Sequence, residues 1–514
     1  MGACNSAKST NKKSKKNNTA QIDNKINQKT DSTYKTTITE TNQNKNQEAI
    51  QAEIGKSKTY NDSNIPKEEK KRYKKRVDIE KGYYDGEFYD GKPDGQGIRV
   101  FNNGDKYEGS FKAGNLDGKG KFTSTDGDVY DGEFKENKRY GYGKLTFSDG
   151  STYEGNFVND IFDGKGKNTF TDGGYYDGDW KNGKKHGKGK LMYANGNYYE
   201  GEFLDDEFNG KGKYCFKDGS YYDGNWVKNK QSGKGTKKTS NGEIYEGDWL
   251  NNKMQGKGKY QFKNGDVYEG DFYDDNLNGK GKMTYSNGIV YEGDFKKNKQ
   301  EGKGKITYKN GNIYEGEFQD NKIIGKGKMT YKKGGYYDGD WKNFKYNGKG
   351  KKVFDNGDQY EGDFVENKME GKGTMIYYEG DKYEGDWKND KKNGKGTMIY
   401  YEGDKYEGDW KNDEKNGKGK FTYVDGEIYE GEFLNDLKHG KGKSVYPNKD
   451  VYEGDYYEDK RQGKGIMLFS NGDKYEGEFK DDLLDGKGTL TKENAVYVGV
   501  WEKNNIVGKL KRIK

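Results

Sequence analysis

The sequence predicts an all-β chain: an elongated, single-layer antiparallel β-meander of about 19 stacked hairpins, preceded by a disordered tail. Three observations predict it. The stretch from Tyr268 to Val290, YEGDFYDDNLNGKGKMTYSNGIV, opens with an aromatic, an acid and a glycine, and this triplet recurs from Tyr84 to Tyr475 in unbroken steps of 23 residues, making 18 units and a degenerate nineteenth from Tyr497. A fixed period marks a repeat architecture, in which each unit buries its apolar face only against its neighbours. Within a unit, polar and apolar positions alternate with period two. Asn-Gly or Asp-Gly stands in 13 of the 17 turns between complete units, and that dipeptide between alternating runs is a strong hairpin signal. The chain divides into a basic tail over residues 1–82, eighteen repeats over 83–496 and a terminal repeat over 497–514.

The tail begins MGACNSAKSTNKKSKK. Gly2 and Ser6 fit the myristoylation pattern M-G-x-x-x-[ST], and Cys4 stands where a second acyl chain is added. One myristoyl chain holds a protein on a bilayer only weakly, so durable attachment takes two signals. A third is supplied by Lys8, Lys12, Lys13, Lys15 and Lys16, which precede the first acid, Asp23; each contributes about 1 kcal/mol near an anionic leaflet. Beyond Asn17 the tail is rich in Asn, Lys, Thr and Gln and reads as a tether that cannot offset its ordering entropy. The cluster KKRYKKR, Lys70 to Arg76, reads as a solvated linker, with membrane contact and nuclear import as its rivals. Charge is unevenly placed. Residues 1–80 hold 18 basic and 10 acidic residues, a surplus of +8, so a total of +7 leaves the remaining 434 residues at −1.

Inside the repeat, Gly281, Met283 and Tyr285 alternate with Lys280, Lys282 and Thr284, and Tyr291, Gly293 and Phe295 alternate with Glu292 and Asp294. Two strands result, joined at Ser286-Asn287-Gly288, with about six residues leading to the next hairpin. One face gathers an aromatic row that includes Tyr268, Phe272, Trp180, Trp226, Trp249, Trp341, Trp387 and Trp410. These rings supply nearly all of the apolar burial in a chain that is 28% hydrophobic and 35% charged. They also form a candidate partner groove. On the other face Glu292 and Asp294 lie across from Lys280 and Lys282, pairs that contribute about 0–1 kcal/mol each. Gly270, Gly279 and Gly281, present in every complete unit, let large rings lie over bare backbone.

Catalytic, metal and cofactor chemistry finds no foothold in these residues. Gly-Lys-Gly opens a strand where a phosphate loop would open a helix, and no G-x-x-x-x-G-K-[ST] occurs. The only histidines, His186 and His439, are eleven repeats apart, and the only cysteines are Cys4 and Cys215, which excludes a thiolate site or a disulfide framework. The acids recur beside lysines on a solvent face, without a pocket to perturb them. No apolar run reaches transmembrane length, no secretory h-region is present, and the repeats carry no basic stripe for nucleic acid.

The unit Y-[ED]-G-[ED]-[FW]-x-[ND]-x-x-x-x-G-x-G-x-x-x-[YF]-x-[ND]-G resembles the MORN repeat (membrane occupation and recognition nexus), over about residues 83 to 510. Proteins with this repeat include junctophilins, plant phosphatidylinositol phosphate kinases, ciliary radial spoke head proteins and protist cytoskeletal scaffolds. The resemblance implies a hairpin-stacked sheet serving membrane apposition, phosphoinositide binding or protein scaffolding. After Tyr475 only a degenerate unit and KLKRIK follow, so no kinase or methyltransferase activity is expected. That last unit, with Val498, Val500, Trp501, Ile506, Val507 and Leu510, serves as a cap or a homodimer contact. Gly371–Asp390 and Gly394–Asp413 are identical over 20 residues, as suits a spacer of adjustable length. The expected function is a nonenzymatic scaffold, lipid-anchored at the cytoplasmic side of a membrane and presenting its repeats to protein partners. The alternatives are a cytoskeletal or ciliary component and an accessory factor in phosphoinositide metabolism.

Overall fold

The computed structural model describes residues 72–79 and 82–514. Among them every regular element is a strand, 39 in all from Tyr73–Ile79 to Asn505–Arg512, and there is no helix. The chain forms two compact units. The first, up to Leu191, holds the repeats opened by Tyr84 through Tyr153 and most of the one opened by Tyr176; the second, Met192–Lys514, holds the end of that repeat, those opened by Tyr199 through Tyr475 and the terminal strands Ala495–Glu502 and Asn505–Arg512.

The second unit shows how one repeat is built. Strand Val267–Tyr273 runs antiparallel to Asn276–Thr284, which pairs in turn with Val290–Lys296. Both connections are tight, and the two turns differ from the expectation in an informative way. Asn287-Gly288 is not a two-residue turn with positive φ throughout: Gly288 alone has positive φ, +89°. Gly288 N–H donates to Tyr285 O at 2.9 Å and Tyr285 N–H to Ile289 O at 2.8 Å, which is the three-residue loop closed by a left-handed glycine. The turn with positive φ at both central residues lies where the sequence suggests a six-residue link. Asp274 has φ +52° and Asp275 +64°, flanked by the pair Tyr273↔Asn276. Asn and Asp tolerate the left-handed region through their short polar side chains, so a two-residue primed turn forms without glycine.

The pairing contains a bulge that repeats with the period. Gly270 faces Gly281 and Phe272 faces Leu277, so Asn278, Gly279 and Lys280 together oppose Asp271. Gly279 takes φ +94° there, and the carboxylate of Asp271 accepts from the freed Lys280 N–H at 3.0 Å. The second acid of the motif is thus a bulge cap.

The core is a single row of rings lying on glycine. Tyr268 is fully buried, as are the equivalent tyrosines Tyr291, Tyr314, Tyr337 and Tyr360. A Cβ at Gly270 would lie 2.5 Å from Gly281 Cα, and one at Gly281 would lie 2.5 Å from Tyr268 Cζ, so the ring occupies the space that two side chains would otherwise fill. Tyr268 Oη donates to Asp271 O at 2.9 Å. Its edge meets Phe272 at 5.2 Å and Phe295 at 5.0 Å, and Tyr291 continues the series with Phe295 and Phe318 at 5.1 and 5.0 Å. Edge-to-face contacts of this kind add about 0.5–1.5 kcal/mol each beyond area burial.

The first unit has the same grammar, with Tyr107 over Gly109 and Gly120 and a matching register shift between Gly109 and Phe111. It adds one element that the sequence assigns to the tail. Tyr73–Ile79, within KKRYKKR and its continuation, is a strand paired to Gly82–Tyr89, and Tyr73 stacks on Phe88 at 5.2 Å.

Replacing Gly281 by Ala is expected to cost about 3 kcal/mol through overpacking against Tyr268. Gly426→Ala meets nothing within 4 Å and strains only φ, +96°, for about 1–2 kcal/mol. Amide hydrogen exchange across Val267–Thr284 and across the strands flanking Gly426 measures both, since repeat sheets open locally.

Candidate functional site

The residues nominated from the sequence go to three different places. Gly2, Cys4, Lys8, Lys12, Lys13, Lys15 and Lys16 lie outside the described residues. The aromatic row does not line an open groove: Trp226 and Trp180 are 6% exposed, Trp341 is 5%, and Trp249, Trp387 and Trp410 are 4%, while Phe272 is 2% and Tyr268 0%. The reason is that each ring is covered by the side chains of adjoining strands. The indoles are spent on the backbone as well. Trp226 Nε1 donates to Gly212 O at 2.9 Å, Trp341 Nε1 to Gly327 O at 2.8 Å and Trp387 Nε1 to Gly373 O at 3.2 Å, carbonyls that glycine leaves uncovered. Those rings are core, and a partner surface has to be sought elsewhere.

The basic cluster before the repeats is likewise engaged. Arg72 bridges Asp94 at 2.9 Å, Lys74 approaches Glu87 at 3.7 Å, and the Arg76 guanidinium lies 3.9 Å from the Tyr83 ring centre.

On the polar face the expected pairing is present. Lys280 lies across from Asp294 and Lys282 across from Glu292, with Nζ···O distances of 2.6 and 3.0 Å. In the second unit this face forms a trough of about 1280 Å³, lined by Lys326, Lys349, Lys372 and Lys395 and by Thr374, Thr397, Glu384 and Glu407. These four lysines are matched by Asp340, Asp363, Asp386 and Asp409. Burial alone would raise the Asp386 carboxyl. Hydrogen bonds from the Lys372 side chain and the Lys395 amide overcome it and hold the group below the usual carboxylate range. It is an ionised partner for lysine and has no proton to give at neutral pH. No cluster of three His, Cys, Asp or Glu side chains suited to a metal ion exists among the described residues.

Sequence reasoning passed over a row of cations on the core face. In four consecutive repeats the place held by Leu277 is taken by Lys392, Lys415, Lys438 and Arg461. Lys392 Nζ stands 4.4 Å over Trp410 and Lys415 Nζ 5.0 Å over Phe421, and burial pulls both ammonium groups below their ordinary pKa. Lys438 meets Glu427 at 2.9 Å; burial pulls its pKa down, but Tyr423 and Glu427 outweigh this and leave it raised. Aligning the repeats column by column would have exposed the substitution. The physical payoff is shared packing, because long stems cover rings while the heads reach acid or the π face.

The MORN repeat family matches 18 consecutive segments, from 84–106 to 475–494. The chain belongs to that family. No curated protein matches it, and the MORN match is to a repeat and indicates no catalytic family. Among solved structures, the TCP10 domain of Danio rerio CPAP in complex with a peptide of Danio rerio STIL is 15% identical, over 48% of this chain and 93% of that one, with a TM-score of 0.21. The TCP10c domain of Drosophila melanogaster Sas-4 is 12% identical over 35% and 99%, TM-score 0.20, and a streptogramin B lyase is 14% identical over 59% and 95%, TM-score 0.11. Likenesses this distant carry no inference to the present chain.

The buried tyrosines make the MORN sheet sensitive to alkali. Burial, with Asp413 and Asp358 for Tyr377 and with Asp436 and Asp381 for Tyr400, pushes each phenol from 10.0 up to about 12. A folded-state pKa above the unfolded one means that the native sheet holds the proton more tightly, so this contribution is intact below pH about 10 and lost as pH rises through about 12. Urea stability is expected to be flat up to pH about 10 and then to fall. A Tyr377→Phe/Tyr400→Phe variant falls less steeply, and tyrosinate absorbance recorded on the same samples tracks the loss.

Proposed function

We propose that this MORN protein is a nonenzymatic scaffold held on the cytoplasmic face of a membrane by its N-terminal segment, with the repeats presented to protein partners. The observation that carries the scaffold half of this reading is that the recurring polar groups of the repeat are occupied in building the sheet. Tyr268 Oη caps a carbonyl, Asp271 caps a bulge, Asn298 Oδ1 accepts from Leu277 N–H at 2.7 Å and Asp266 Oδ1 from Ser286 N–H at 2.8 Å. A side chain committed in this way is a poor acid, base or nucleophile, and its value lies in rigidity.

The membrane half is supported by Gly2, Cys4 and the five lysines of the first 16 residues, and by the near neutrality of the rest of the chain. Neutral repeats with paired lysines offer little long-range attraction to an anionic surface, so attachment falls to acyl chains and the tail. Direct phosphoinositide binding by the polar face would require phosphate to displace carboxylates already within 2.6 Å of Lys280 and Lys372.

Gly2→Ala in the full-length protein is expected to move it from the membrane pellet to the soluble fraction on cell fractionation, and Cys4→Ser to weaken pelleting less. Retention of Gly2→Ala in the pellet after detergent extraction would favour a cytoskeletal component instead.

A further inference from the structure

In most units the residue after the last core ring of the first strand is polar, as at Ser286, Lys309, Lys332 and Asp355. In the next four it is Tyr378, Tyr401, Val424 and Pro447. Tyr378 is 79% exposed, Tyr401 76% and Val424 69%, the three most exposed large apolar side chains among the described residues. All lie in the second unit, at the turn that ends with the left-handed glycine.

These side chains are positioned, not loose. A Cβ on Gly357 would lie 2.8 Å from Tyr378 Cδ2, one on Gly380 2.7 Å from Tyr401 Cδ2, and one on Gly403 3.2 Å from Val424 Cγ2. Each apolar group therefore leans back over the bare turn glycine of the unit before it. Tyr401 thus covers Gly380 and Val424 covers Gly403, and the intervals from Tyr378 to Tyr401 and from Tyr401 to Val424 are the two slots between rungs that a ligand would enter. The backbone under each rung is pinned by a carboxylate of the preceding unit: Tyr378 N–H donates to Asp358, Tyr401 N–H to Asp381 and Val424 N–H to Asp404, all at 2.8 Å. Ile376 and Ile399, 46% and 42% exposed, stand two residues before the tyrosines at the ends of their strands.

The spacing of the rungs selects the kind of ligand. One unit contributes two strands, so successive rungs are about 9.6 Å apart. A polyproline II helix advances about 9.3 Å per three-residue turn, which sets a proline of every turn into successive slots with a slip of about 0.3 Å per rung. An added β-strand repeats every 6.6 Å or so and an α-helix about every 5.4 Å, and neither stays in register. Aromatic slots of this sort suit polyproline, which meets them already extended and loses little entropy. Charge points to the flanks of the ligand. Glu379 and Glu402 follow the two tyrosines, exposed and with no ion-pair partner among the described residues, while the neighbouring Lys382 and Lys405 are taken by Glu384 and Glu407.

We propose that the strip Tyr378–Tyr401–Val424–Pro447 docks a proline-rich segment of a partner protein in the polyproline II conformation, with lysine or arginine beside the prolines to meet Glu379 and Glu402. The chain cannot fill the strip itself, because its three prolines, Pro66, Pro93 and Pro447, are isolated from one another. The duplication that copies Gly371–Asp390 into Gly394–Asp413 supplies the matched tyrosine rungs that two slots require. This inference is independent of how the tail is anchored.

The test is fluorescence anisotropy of the full-length protein with a labelled synthetic peptide, two arginines followed by three Pro-Pro-Leu triplets. The control peptide has the same length, with glycine at every second proline. Saturable binding of the proline peptide is expected, with a loss of about tenfold or more in Y378S/Y401S, since buried tyrosine anchors each contribute more than 1 kcal/mol. Serine already occupies this place at Ser148, Ser240, Ser286 and Ser470, so the variant keeps its fold, which circular dichroism verifies. E379Q/E402Q is expected to bind a few-fold more weakly and with a flatter salt dependence. Absence of saturable binding, equal affinity for the glycine-interrupted peptide, or unchanged affinity in Y378S/Y401S would each overturn the proposal. So would a concentration-dependent dimer that Y378S/Y401S abolishes in sedimentation, which would assign the strip to a second copy of the chain.

Discussion

A tyrosine ring lying across a pair of facing glycines is the contact on which the rest of the molecule depends. Tyr268 covers Gly270 and Gly281, and a Cβ on either would collide with the ring or with the opposite backbone. The ring needs both absences, and the hydroxyl then reaches Asp271 O, a carbonyl close to the bulge where ladder pairing is interrupted. One side chain thereby fills a void, buries an aromatic face and satisfies a polar group. This is how a chain with 28% hydrophobic residues sustains long meanders: its apolar surface is concentrated in a narrow file of rings that pack edge to face, so that each unit completes the core of its neighbour.

The polar residues of the repeat then have defined duties. The bulge would leave Lys280 N–H without a ladder partner, and Asp271 supplies one; the bond is exposed, so its main effect is to hold the bulge in one geometry, with a net worth of about 1 kcal/mol. Turn residues reach across units in the same manner, with Asn298 holding Leu277 and Asp275 holding Met254 at 2.7 and 2.8 Å. The lysine–carboxylate pairs are a weaker influence. With Lys280 69% exposed and Asp294 33%, solvent screens most of the attraction, and their effect is to favour one register over its neighbours.

Much of this was legible in the sequence because the repeat averages out local ambiguity. The period, the two-strand unit, the antiparallel order and the facing of Lys282 on Glu292 follow from alternation and spacing alone. What was misread has physical causes. Asp274-Asp275 hides a primed turn because Asp enters the left-handed region through its short polar side chain, a weaker signal than the conspicuous Asn-Gly, which here closes a three-residue loop. Tyr73–Ile79 hides a strand because its lysines and arginines give it the composition of a linker, while its pairing needs only a free sheet edge and Tyr73 to stack on Phe88. The tryptophans looked like a binding groove because alternation reveals that residues share a face but not whether that face is covered.

This distinction bears on where specificity can reside. A surface built from 18 near-identical units offers a partner many equivalent registers, and equivalence is the opposite of address. Register becomes unique only where consecutive units break the consensus together. The chain does this twice in overlapping stretches of the second unit: Lys392, Lys415, Lys438 and Arg461 on the core face, and Tyr378, Tyr401, Val424 and Pro447 along the turns. The first series is absorbed into packing, with ammonium groups over Trp410 and Phe421. The second is left in solvent, where apolar area is unfavourable unless something covers it. A regular sheet thus gives stiffness and spacing, and its irregular rungs give the position along it at which a partner can be held.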